Sequence, residues 1–113
     1  EFAVHQMGVK LIVVLGHTKC GAIAGACNHL ELGHLSQLLE KIQPAVNAET
    51  TVIHNRAGDN YEFVDKVAAI NVMQVIDGIK SNSQIINNAM QDDTVKIVGA
   101  MYYIENGKVI FYE

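Results

Sequence analysis

His17 and Cys20 stand three positions apart in a chain of 113 residues and are its most distinctive pair of reactive side chains. An imidazole nitrogen and a thiol sulfur at that distance can both face one tetrahedral Zn²⁺. The apolar run Leu11-Ile12-Val13-Val14-Leu15 before them, rich in β-branched residues, reads as a strand buried on both faces. The strand stops at Gly16, and the small-residue run from Gly21 to Cys27 reads as the first turns of a helix. The pair therefore belongs at the carboxyl end of a strand, where ligands bind in open α/β sheets. Cys20 falls at a helix N-terminus, where the dipole favours thiolate. Two donors do not complete a zinc site, since structural sites need four and catalytic sites usually three. Spacing alone leaves open a backbone-bonded histidine beside an inert cysteine.

Two other chemistries fit the same loop less well. Gly16-x-x-x-x-Gly21 matches the opening of a phosphate-binding loop, but Ala22-Ile23 stand where Lys and Ser or Thr are required. A phosphatase loop built on Cys20 needs an arginine six residues later, and Ala26 is there. Cys27 lies two helical turns beyond Cys20, too far along the axis to share its metal, and reads as core packing. His5, His29, His34 and His54 fall on a terminal helix, beside a turn and in a polar stretch, and read as solvated.

The rest of the pattern describes a scaffold for the pair. Glu1 to Met7 reads as the end of a helix capped by Gly8, with no initiating methionine and no signal-peptide pattern. After the first strand and its helix, Leu35, Leu38, Leu39 and Ile42 recur at helical spacing, and Pro44 closes that segment. Residues 45 to 60 are mixed and polar, with Asp59 or Asn60 able to cap the next helix. Val64, Val67, Ala68, Val72, Val75, Ile76 and Ile79 then share one face of a long helix. Ser81-Asn82-Ser83 breaks it and caps a short helix holding Ile85, Ile86 and Met90. Val95 to Met101, continued by Tyr102 and Tyr103, reads as a second strand, and Asn106-Gly107 before Val109-Ile110-Phe111-Tyr112 signals a hairpin. The fold class expected is α/β: a mostly parallel sheet with helical crossovers and a C-terminal antiparallel hairpin strand.

Composition bounds the function. The length suits one domain, and 50% hydrophobic with 18% charged residues is a globular balance. A net charge of −4 argues against a nucleic-acid surface. No apolar run approaches the roughly 20 residues of a membrane span. Two cysteines without a CxxC or a dense framework point to a reducing compartment, hence the cytoplasm.

Gly16-His17-Thr18-x-Cys20-Gly21-Ala22 after an apolar strand resembles the β-class carbonic anhydrases. The likeness extends to Phe2-Ala3-Val4 through Lys10, to Asn71-Val72, and to Val98-Gly99-Ala100-Met101-Tyr102 with its Asn106-Gly107 turn. It covers nearly the whole chain but only the later part of the family's domain, so an N-terminally incomplete domain is expected over residues 1–113. The resemblance implies that His17 and Cys20 are zinc ligands and that Gly21, lacking a side chain, lets the backbone approach the metal pocket. It also implies a third ligand, a cysteine in an upstream Cys-x-Asp-x-Arg segment whose Asp and Arg work beside the metal; this sequence holds no such segment. No catalytic residue is therefore assigned. The implied reaction is reversible hydration of carbon dioxide to bicarbonate by a homodimer or tetramer, with this chain alone impaired or inactive. In some members a tyrosine at the position of Tyr102 helps bind bicarbonate at a regulatory site. The competing expectation is a non-catalytic carbonic-anhydrase-like module that serves oligomerisation or regulation in a larger chain.

Overall fold

The computed structural model describes residues 1–112. A short helix, α1 (Phe2–His5), leads through Gly8, at φ +67°, into strand β1 (Leu11–His17). Five helices follow: α2 (Gly21–Cys27), α3 (Leu35–Glu40), α4 (Gln43–Ala48), α5 (Tyr61–Asn82) and α6 (Gln84–Gln91). Strands β2 (Lys96–Tyr103) and β3 (Lys108–Tyr112) are the last elements among the described residues. β1 and β2 pair in parallel from Leu11↔Lys96 to His17↔Tyr102, as a helical crossover requires. β3 returns antiparallel to β2, giving the order β1-β2-β3. The expected α/β architecture, its parallel pair and its hairpin are all present. Gly107, at φ +76°, takes the left-handed position that the Asn-Gly turn predicted.

The 22-residue helix α5 is the scaffold. Phe63, Val64 and Val67 are fully buried against α2, α3 and α4, in a core that includes Cys27, Leu39 and Val46. One turn further on, Val72 and Ile76 pack on Ile97 with Ile12 and Val14 of β1. Two strand glycines make this approach possible. A Cβ on Gly16 would lie 2.7 Å from Val72 Cγ2, and one on Gly99 would lie 2.9 Å from Val72 Cγ1. Val72 thus occupies space that any other residue at either glycine would claim. Ser83 ends α5 and caps α6, its hydroxyl accepting from Ile86 N at 3.2 Å, as the break in the pattern predicted.

Three expectations need correction. β1 is not buried on both faces: Leu11, Val13 and Leu15 are 53%, 42% and 54% exposed, while Ile12 and Val14 turn toward α5. The apolar run reflects a strand with one covered face and one that no described element covers. Pro44 begins a helix instead of only ending one. It stands in the first turn of α4, where its missing N–H breaks no intrahelical bond. Asn60 occupies the N-cap position of α5, but its side chain donates to Asn55 O at 3.0 Å and caps nothing.

The polar stretch after α4 is organised by one buried carboxylate. Glu49, 3% exposed, accepts from the Thr51 hydroxyl, from Thr51 N at 2.9 Å, from Val52 N at 3.1 Å and from Arg56 Nη1 at 3.2 Å. These bonds, the Thr51 hydroxyl foremost, outweigh burial and lower its pKa from 4.5 to about 2. Arg56 also donates to Val52 O and Val46 O and lies 4.4 Å over the Phe63 ring. Both carboxylate oxygens of Glu49 are satisfied, so the charge can be buried there.

Candidate metal centre

β1 delivers His17 at its last position, and Cys20 is the N-cap residue of α2, extended at φ −70° and ψ 122°. Both side chains line one cavity of about 270 Å³ between β1 and α5. Leu15, Val72 and Val75 are among its apolar lining, and Asn71 is the other polar side chain along it. Val75, which its spacing placed on the core face, is 41% exposed and lines this cavity. A larger groove of about 480 Å³ lies between α1 and α6 at the opposite end of β1, beside Lys10, and holds neither donor.

The tautomer of His17 follows from its neighbour. Nδ1 is 2.9 Å from the carbonyl oxygen of Thr18, which can only accept, so Nδ1 carries a proton and Nε2 is left outside this bond. A backbone acceptor on one ring nitrogen is how ligating histidines are commonly oriented. Cys20 is half-buried and unpaired. Imidazole nitrogen and thiolate sulfur suit zinc, but they are two donors. Among the described residues no cluster of three or more His, Cys, Asp and Glu side chains is placed to hold a metal. The residues present therefore fit part of a zinc site.

The loop between the donors is held on two sides. Thr18, 2% exposed, donates its N–H to Tyr102 O at 3.0 Å; its hydroxyl accepts from Ile104 N at 3.1 Å and donates to Glu105 Oε2 at 2.9 Å. Lys19, at φ +53°, donates its N–H to Asp65 Oδ1 at 2.8 Å. Sequence reasoning found the donors and missed Asp65 and Glu105, because nothing in the spacing of residues 46 and 87 positions apart announces such bonds. It also missed the reason for Gly16, which is the nearness of Val72. A Cβ on Gly21 would meet no atom of this chain within 4 Å, so the space beside it is open. Cys27 is 2% exposed within the core, and burial pushes its thiol pKa up, as befits an inert packing residue. His5, His29, His34 and His54 are all exposed.

Comparison with known proteins gives a consistent answer. The carbonic anhydrase family model matches residues 1–109. A carbonic anhydrase of Mycolicibacterium smegmatis is 29% identical over 114 aligned positions, covering 96% of this chain and 52% of that protein. The β-carbonic anhydrase CafA of Aspergillus fumigatus superposes with a TM-score of 0.82 at 26% identity, covering all of this chain and 53% of that one. One of two tetrameric β-carbonic anhydrases from Sordaria macrospora superposes at 0.81 with 27% identity, over 98% of this chain and 56% of that one. The chain spans about half the length of the curated relatives it matches. Sheet order, the loop after β1 and a match across nearly every residue lead to one conclusion: the chain belongs to the β-class carbonic anhydrases, a family of zinc enzymes whose general reaction is the hydration of carbon dioxide.

Proposed function

We propose that His17 and Cys20 are two zinc ligands of a β-carbonic anhydrase site, and that the site, once completed by a third ligand, interconverts carbon dioxide and water with bicarbonate and a proton. The observation that carries this reading is the shared cavity: an imidazole with a free Nε2 and a half-buried thiol both open onto it. Zinc, when bound, supplies a Lewis acid that brings the pKa of water to about 7. The chain's own residues contribute the rest. His17 is held in the Nδ1–H tautomer by Thr18 O. The wall formed by Leu15, Val72 and Val75 suits an uncharged substrate that needs no hydrogen-bond donor. The open space beside Gly21 leaves main chain accessible to a small ligand.

The third ligand, a cysteine, and an Asp–Arg pair are expected from a Cys-x-Asp-x-Arg segment. A homodimer or tetramer is the proposed assembly, in keeping with the tetrameric Sordaria enzymes. The two unpaired cysteines support a cytoplasmic site of action. No helix among the described residues is long and apolar enough to cross a membrane. The test is to measure bound zinc and carbon dioxide hydration for the 113-residue chain and for a version extended upstream by a Cys-x-Asp-x-Arg segment. Zinc at one per chain and hydration in the extended form, with little of either in the short form, supports the proposal. An extended form that binds no zinc refutes it and favours a non-catalytic module.

A further inference from the structure

Only Thr18 and Lys19 separate the two donors, and a single carboxylate holds both. Glu105, in the turn between β2 and β3, accepts the Thr18 hydroxyl proton on Oε2 at 2.9 Å and faces Lys19 Nζ with Oε1 at 3.7 Å. We infer that Glu105 is a positioning residue for the metal centre: by fixing Thr18 it fixes the carbonyl that selects the tautomer and direction of His17. The inference rests on the zinc reading above and adds a residue 85 positions beyond Cys20 to the site.

The chain of contacts is continuous. Thr18 is buried at 2% exposure, and all of its polar groups are committed. Its N–H bonds Tyr102 O, its hydroxyl bonds Ile104 N and Glu105, and its carbonyl accepts Nδ1–H of His17. The hairpin end thus grips Thr18 through its N–H and its hydroxyl, and the carbonyl of Thr18 grips the imidazole. Lys19 shows that the loop is constrained. A lysine at φ +53° is uncommon, and such outliers persist where the surroundings over-determine them. Here Asp65 takes its N–H at 2.8 Å, and its ammonium lies 5.4 Å over the Tyr61 ring as well as near Glu105. The Lys19–Glu105 pair is 40% exposed on both sides and contributes little by itself. The buried Thr18 hydroxyl is the contact through which Glu105 acts.

The experiment uses the chain extended upstream by a Cys-x-Asp-x-Arg segment, with Co²⁺ as the probe, read by its d–d and thiolate charge-transfer absorption, together with the ¹⁵N spectrum of the His17 ring. Glu105→Ala and Thr18→Val should each weaken Co²⁺ binding about tenfold, the low end of what outer-shell partners contribute. Thr18→Ser and Glu105→Gln, which keep a hydroxyl and an acceptor, should stay within about threefold of the parent. The double variant Thr18→Val/Glu105→Ala should bind no more weakly than Thr18→Val alone, because both act on one contact. In the ring spectrum the parent shows the Nδ1–H tautomer, and both disruptive variants show a mixture. An Ala variant that keeps its affinity within twofold and its tautomer unchanged, while unfolding more easily, overturns the inference and leaves Glu105 a surface tether. An extended parent chain that binds no Co²⁺ counts against the zinc reading; the tautomer ratio then decides the role of Glu105, a shift supporting it and no shift overturning it.

Discussion

Replacing Gly16 by alanine should destabilise the fold, although alanine is the better residue in a strand. The added Cβ would sit 2.7 Å from Val72 Cγ2 and 3.2 Å from Met101 Cε. Met101 can swing its terminal methyl aside, but Val72 is 3% exposed and β-branched, so its χ1 has little freedom in a helix. Overpacking of this kind costs about 1–3 kcal/mol, against about 0.5–1 kcal/mol recovered by removing a glycine from a strand. The expected net loss is about 1–2 kcal/mol, and each kcal/mol lowers Tm by about 4–8 °C in a domain near this size. Val72→Ala alone should cost about 2 kcal/mol in lost burial and cavity. In the double variant the alanine at position 72 makes room for the new methyl, so the loss should fall short of the sum by about 1 kcal/mol or more. Gly21→Ala is the control, since its Cβ meets nothing within 4 Å. Urea unfolding followed by circular dichroism compares these variants with the parent. Additivity within about 0.5 kcal/mol, or a Gly16→Ala chain as stable as the parent, would refute the idea that α5 is seated by this close approach.

Other consequences can be checked with similar means. Glu49→Gln should destabilise the chain at neutral pH by about 1.5–3 kcal/mol, because Arg56 and the Thr51 and Val52 donors lose a charged acceptor. The folded pKa of Glu49, about 2, lies below its ordinary 4.5, so its contribution is complete above pH 4.5 and fades as pH falls toward 2. Stability measured from pH 7 to pH 2 should therefore fall less steeply in the Gln variant than in the parent, and parallel profiles would contradict this. A thiol reagent applied to the native chain should modify Cys20 well before Cys27, which is 2% exposed; equal rates, followed by mass spectrometry of peptides, would show that the core opens readily. Phe63→Ala, in the packed centre between α5 and α2–α4, should cost about 3–5 kcal/mol and abolish cooperative unfolding near room temperature; a sharp transition close to the parent's would count against that core.

Local pattern made β2, α5 and the hairpin legible through apolar runs and, in α5, helical periodicity, and Asn106-Gly107 marked the turn itself. The donors were legible because imidazole and thiol are rare chemistry at a short spacing, and the loop around them resembled one family. Contacts between distant residues were not legible. Nothing in the mixed, polar stretch from 45 to 60 singles out Glu49, yet it is the hub of a buried turn whose donors come from positions 51, 52 and 56. Glu105 and Asp65 reach the donor loop only because β2 runs beside β1 and α5 crosses it. The exposed face of β1 was misread for a related reason: five apolar residues in a row report hydrophobicity, and burial depends on which layers are present to cover them.

If His17 and Cys20 bind the same zinc ion, both must appear in its first coordination shell. Zinc X-ray absorption on the chain extended by a Cys-x-Asp-x-Arg segment reads that shell. One nitrogen near 2.0–2.1 Å and two sulfurs near 2.3 Å, with Cys20→Ser removing one sulfur and His17→Ala removing the nitrogen, is the predicted result. A first shell unchanged by either substitution would contradict it.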